Sequence, residues 1–119
     1  MTEKSLLAVT RQNDVTVVGF NEPHLLDAYH VEDTAPQLYQ LIEQDNHRLI
    51  VLDLSNISMI SSQALGVFLN MKQKLDQRDG KMAISGIDPA LSRVFKITRL
   101  QDVFKFFNQI PAAVNSLRA

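Results

Sequence analysis

The chain has 119 residues, with 12 Lys and Arg against 13 Asp and Glu and a formal net charge of -1. That length suits one domain over residues 1–119, since single domains cluster near about 100–150 residues, and 45% apolar content supplies a core without cross-links. The balanced charge argues against a direct nucleic-acid binder, which carries a basic excess, and gives no attraction to an anionic membrane. No cysteine is present, which excludes disulfides, thiolate nucleophiles, Cys-ligated zinc and iron–sulfur clusters. Three histidines remain for acid–base chemistry, so the catalytic inventory is thin and no enzyme activity is expected.

The apolar stretch over residues 6–9 is ended by Arg11, too short for a signal peptide. No segment approaches the run of about 20 apolar residues that spans a membrane. The expected compartment is the cytoplasm.

Residues 6–10 and 15–20 are short β-type runs separated by Asn13-Asp14, a turn signal, and predict a hairpin. Pro23 cannot donate to a ladder and takes the chain out of the sheet. Over residues 31–44, Val31, Ala35, Leu38, Leu41 and Ile42 recur at helical spacing. This predicts a helix capped by Asp33 or Thr34, with Pro36 in its first turn.

Leu49-Ile50-Val51-Leu52 is continuously apolar and predicts a strand buried on both faces. A second helix is expected over residues 62–79, with Ala64, Leu65, Phe68, Met71 and Leu75 inward and Gly80 as its stop. Residues 82–86 predict another buried strand. Asp88-Pro89 then opens a third helix, with Leu91, Val94, Phe95 and Ile97 as its apolar face. Residues 103–107 read as a last short strand or extended piece, and Pro111 starts a C-terminal helix carrying Ala113, Val114 and Leu117.

The order is β-β-α-β-α-β-α-(β)-α. Strands that alternate with helices imply right-handed crossovers and a parallel centre. The expected fold class is therefore α/β, with a small mixed sheet of about four to five strands and about four helices.

Sites in such folds lie at the carboxyl ends of strands. The segment Met59-Ile60-Ser61-Ser62-Gln63-Ala64-Leu65-Gly66 occupies such a place. One reading is structural: either serine can cap the helix, its hydroxyl accepting a free N–H of the first turn. The other is phosphorylation. A helix N-terminus presents unpaired N–H groups and a partial positive charge, so it accommodates a phosphate that adds about −1.5 to −2 charges and can switch a docking surface. No adjacent His or Lys activates either serine, which excludes a serine hydrolase.

His24-Leu25-Leu26-Asp27-Ala28-Tyr29-His30 superficially invites a metal reading, but the expected one is a surface loop entering the first helix, with no metal. His47 reads as a turn residue beside Asp45-Asn46. Asp53, Asp27 and Glu22 fall near strand ends, and Asp53 is read as bonding loop N–H groups rather than as an acid–base residue. There is no Gly-rich phosphate loop, and no cofactor is expected. Arg93, Lys96 and Arg99, with Lys105 nearby, read as a solvated face.

Leu52-Asp53-Leu54-Ser55, then Ile57, Ile60-Ser61-Ser62 and Leu65-Gly66, resemble the signature of STAS domains, which include anti-sigma-factor antagonists and domains of sulfate transporters. Residues 79–86, together with Pro89, Arg93-Val94-Phe95, Thr98, Leu100 and Val103-Phe104, are similar to the family's later turn, strand, helix and final segment. The resemblance runs from about Leu6 onward. It implies partner switching: the unphosphorylated antagonist binds an anti-sigma factor that is also a serine kinase, phosphorylation at the start of the second helix releases it, and a phosphatase resets it. ATP belongs to the kinase.

Against the family pattern Asp-Ser-Ser/Thr-Gly-Leu-Gly, Ser62 takes the phosphoacceptor position, with Ser61 as the alternative. Ser61 stands where the family has an acid, Gln63 where it has a second hydroxyl and Ala64 where it has the first glycine. The resemblance implies Asp27, Ser61, Ser62, Gln63 and Ala64 as partner-binding residues, and Asp53, Leu65 and Gly66 as the structural motif. Three functions stay open: the phospho-switched antagonist, an unphosphorylated scaffold in a larger assembly with other STAS proteins, and a nucleotide- or lipid-binding domain.

Overall fold

A computed structural model describes residues 7–20, 25–26, 28–57 and 59–118. The hairpin forms as expected from β1 (Leu7–Gln12) and β2 (Val15–Phe20), paired antiparallel from Leu7 opposite Phe20 to Gln12 opposite Val15. Asn13 makes the turn at φ 60°, a conformation Asn tolerates better than most residues. After β2 come β3 (Leu25–Leu26), α1 (Ala28–Glu43), β4 (Leu49–Asp53), β5 (Met59–Ile60), α2 (Ser62–Asp76), β6 (Lys81–Ser85) and α3 (Pro89–Ile97). A 3-10 turn (Leu100–Asp102), β7 (Lys105–Phe107) and α4 (Ile110–Arg118) follow.

The main sheet has the order β1-β2-β4-β6-β7, and every pairing after the hairpin is parallel. The inner positions of its central strands, Ile50-Val51-Leu52 and Met82-Ala83-Ile84, are apolar because both faces are covered. Ile50 and Leu52 of β4, with Met82 and Ile84 of β6, join the core of α1, α2 and α3. The alternate residues Val51 and Ala83 join a smaller core with Ala113, Val114 and Leu117 of α4. Residue period two in the strands thus distributes one apolar run over two cores.

The α2 stripe is confirmed: Ala64, Leu65, Phe68, Met71 and Leu75 are all buried. α1 lies against α2, where Lys74 Nζ donates to Glu43 Oε2 at 2.7 Å and sits 5.0 Å from the Tyr39 ring centroid. That ammonium holds the Glu43 carboxyl below its ordinary range. At the far edge Phe95, Phe104 and Phe106 meet edge to face, with centroids 5.1–6.5 Å apart. These contacts fasten α3 and β7 together.

Several expectations are corrected. α1 begins at Ala28, so Thr34 and Pro36 lie inside it and neither Asp33 nor Thr34 caps its start. Pro36 removes an N–H from the ladder, yet the helix runs through it because its apolar face is held against α2. The segment at residues 24–30 is not simply a loop: residues 25–26 pair in parallel with residues 59–60, and residue 28 already starts α1. α2 ends at Asp76, and the left-handed residue beyond it is Asp79, at φ 59°. Gly80 is needed for space instead, since a Cβ there would fall 2.5 Å from the Arg48 carbonyl oxygen. Ile97, expected in the apolar face of α3, is 73% exposed. Among the described residues no helix is long and apolar enough to cross a membrane.

Candidate functional site

The carboxyl ends of β2, β4 and β6 are tied together by the segment after β4. Leu54 N–H donates to the Ser85 carbonyl at 2.9 Å, and Asn56 Nδ2 donates to the Phe20 carbonyl at 3.3 Å. Asp53 Oδ1 accepts the Ser55 N–H at 3.1 Å, which is the structural role expected of it. Gly86 stands against this turn at φ 79°. Asp53 is therefore engaged in shaping the loop, and the loop presents β5 and the start of α2.

The two serines divide the work at that start. Ser61 is the N-cap, with extended backbone at φ -87° and ψ 164°, and its Oγ accepts the Ala64 N–H at 3.2 Å. Ser62 is the first residue of the helix and its side chain is exposed. Asp88 caps α3 in the same way, accepting the Leu91 N–H at 2.8 Å. The first turn of α2 carries no acidic residue. Its unpaired N–H groups and the positive end of the helix dipole are thus uncompensated by a carboxylate from that turn.

Of the residues implied as partner-binding, Ser62 and Gln63 are exposed and Ser61 is partly buried. Ala64 is a correction: it is 1% exposed and packs in the core with Leu65, so it offers a partner no surface. Its inward position explains why a methyl group is accommodated there. Gly66 has open space around it. Asp27, Glu22 and His24 lie outside the described residues. Met59, the first residue of the candidate segment, is 66% exposed, which the sequence does not signal because a two-residue strand has no periodicity to read.

His47 is more than a turn residue. Its Nδ1 is 2.7 Å from Thr16 Oγ1 and 2.8 Å from an Arg11 guanidinium nitrogen. Desolvation and then the Arg11 charge push its pKa below 6.5, against the pull of Asp45. Among the described residues no group of three or more His, Asp or Glu side chains is placed to hold a metal. A surface cavity of about 490 Å³ lies between α3 and β7, with Phe95, Phe106 and Phe107 in its lining. Among the described residues that line it, Asp88 is the one charged side chain, so they bring no cation to a phosphate.

The STAS domain family model matches residues 7–113. The chain belongs to the STAS domain family. The anti-sigma-B factor antagonist of Staphylococcus aureus is 35% identical to this STAS chain over 81 residues, 66% of this chain and 71% of that protein. The fold is shared with an anti-sigma factor antagonist from Mycobacterium paratuberculosis, at TM-score 0.83 and 20% identity, over 95% of this chain and 93% of that one. It is shared also with the phosphorylated form of the Bacillus cell fate determinant SpoIIAA, at TM-score 0.71 and 17% identity, over 92% and 97% of the two chains. The expected α/β class, with five strands in the main sheet and four α-helices among the described residues, is the STAS fold.

Proposed function

We propose that this STAS domain is an anti-sigma-factor antagonist, a cytoplasmic protein-binding module that sequesters an anti-sigma serine kinase and thereby regulates transcription. Phosphorylation of Ser62 by that kinase releases the complex, and a phosphatase restores binding. The chain contributes a surface rather than a reaction, and ATP is bound by the kinase.

The observation that carries this reading is the division between the two serines. Ser61 Oγ is committed to the Ala64 N–H, whereas Ser62 is exposed at the first position of α2. A phosphate on Ser62 would sit at the positive end of the helix, where free N–H groups stabilise it without unfolding the domain. The same charge would oppose a partner surface packed over that helix end. The 35% identity to an anti-sigma-B factor antagonist supports the same reading.

The test is incubation with the cognate kinase and ATP, followed by mass spectrometry. One phosphate on Ser62 is expected; no phosphate, or phosphate confined to another residue, refutes the switch. Ser62→Ala should retain kinase binding and Ser62→Asp should weaken it. The departures at Ser61, Gln63 and Ala64 favour a second reading, an unphosphorylated scaffold. Light scattering after size exclusion separates the two, because a scaffold must form stable higher assemblies with its STAS partners.

A further inference from the structure

Four cations at the α3 edge have no partner. Arg93 and Lys96 on α3, Arg99 just after it and Lys105 on β7 are all exposed. Among the described residues, none of their side chains makes an ion pair or a hydrogen bond. Most other described cations are engaged: Lys72 with Asp76, Lys74 with Glu43, Arg118 with Asp14, Arg48 with the Arg78 carbonyl and Arg11 with His47. Asp102 is the one carboxylate over residues 89–109. Arg99 moreover holds φ 63°, a left-handed backbone that Gly or Asn would adopt with less strain.

Helix α3 and the strand it packs against also carry exposed apolar side chains. Ile97 is 73% exposed and stands one helical turn from Arg93, and Met59 is 66% exposed on β5, the strand α3 packs against. A lone exposed apolar residue is ordinary. Here two such side chains accompany four unpaired cations on adjoining elements.

We infer that this face docks an acidic segment of a protein partner, with Ile97 and Met59 as its apolar contacts. Charge complementarity selects the occupant. Arg93 and Lys96 follow each other about 4.5 Å apart along the helix axis, and Arg99 extends the cationic surface beyond it, while Lys105 lies in a cleft with Lys72, Asp76 and Lys81. This is a strip suited to a row of carboxylates, not a cradle converging on one phosphate. A formal net charge of -1 disfavours a nucleic acid, and two apolar side chains are too few to anchor the chain in a bilayer. Met59 lies three residues before Ser62, so the inference rests on the antagonist reading in one respect: the partner at α3 is taken to be the protein that also meets Ser62.

The test does not use that partner. The full chain is titrated, under ¹H–¹⁵N NMR, with an amphipathic helical peptide bearing a stripe of Glu and a single Leu. A matched peptide with Gln in place of every Glu is the control. Amide shifts should concentrate at Met59, Arg93, Lys96 and Ile97. The Gln peptide should bind about tenfold more weakly, as should the acidic peptide to an Arg93→Glu/Lys96→Glu chain. Raising salt from about 0.05 M to about 0.5 M should close that gap as screening shortens the reach of the charges. Equal binding of the Gln peptide, shifts centred elsewhere, or tighter binding of a DNA duplex or an anionic vesicle overturns the inference. Phosphorylation of Ser62 is read separately, so its absence would remove the antagonist reading while leaving a positive titration in place.

Discussion

The Nδ1 of His47 lies 2.7 Å from the hydroxyl oxygen of Thr16, a residue with no solvent exposure. A guanidinium nitrogen of Arg11 reaches the same atom at 2.8 Å. Guanidinium only donates, so Nδ1 accepts and the neutral ring carries its proton on Nε2. The Thr16 hydroxyl and the guanidinium share the single lone pair of that nitrogen, so the imidazole, in the loop that precedes β4, holds a buried hydroxyl of β2 and ties two neighbouring strands.

This contact makes stability depend on pH. The folded pKa of His47 lies below 6.5, first through desolvation and then through Arg11. Between the two values the unfolded chain binds the extra proton, so stability rises with pH across that window. The contribution is present above 6.5 and is lost as pH falls through the lowered folded value. Urea midpoints should therefore rise from about pH 5 to about pH 7, and His47→Gln should flatten that segment of the profile. Profiles that stay parallel would show that His47 is not the titrating group.

Gly86 should tolerate no side chain. It holds φ 79°, and a Cβ there would stand 3.0 Å from the Ser55 Cβ and 3.3 Å from Asp53 Oδ1. Gly86→Ala is expected to lower stability by about 2 kcal/mol, combining left-handed strain with displacement of the loop after β4. Gly66 is the internal control. It is helical and a Cβ there would meet open space, so Gly66→Ala should raise stability by about 0.5–1 kcal/mol. Chemical denaturation of both variants checks the pair.

The two serines should separate by readout. Ser61→Ala removes the acceptor of the Ala64 N–H and is expected to cost about 1 kcal/mol of stability. Ser62→Ala, at an exposed position, should stay within about 0.5 kcal/mol of the parent and abolish phosphorylation by the kinase. A Ser62→Ala chain as destabilised as Ser61→Ala would mean that the cap is shared.

Phe95 should be the most sensitive residue at the far edge. It is 1% exposed and contacts both Phe104 and Phe106 edge to face. Phe95→Ala is expected to cost about 3–5 kcal/mol through lost burial, lost ring contacts and a cavity. Thermal unfolding measures it; a loss under about 1 kcal/mol would show that the neighbouring rings collapse into the space.

Some elements were legible in the residues alone. Leu49-Ile50-Val51-Leu52 had to be covered on both sides, because a continuous apolar run leaves neither face of a strand for water. Asp88-Pro89 marked the start of α3, since an acceptor followed by a residue without an N–H matches the chemistry of a helix N-terminus. The α2 stripe and the hairpin turn followed from equally local rules. So did the two serines at a strand-to-helix junction, which reduced the candidate site to a pair.

Tertiary structure decided the rest. Which serine caps and which is exposed differs by one residue, and only the position at which the chain leaves β5 and enters α2 sets it. Pairing of residues 25–26 with residues 59–60 joins segments more than thirty positions apart, with runs too short to carry a period. Packing against α2 carries α1 through Pro36, overriding the local preference for a break there. Ile97 has the spacing of a core residue, yet at the last position of α3 it is left 73% exposed. Periodicity reports which residues share a face; whether another element covers that face depends on contacts distant in the chain. The balanced charge and absent cysteines excluded most chemistry at the outset, and the fold then placed an exposed Ser62 at a helix start and unpaired cations on a neighbouring helix.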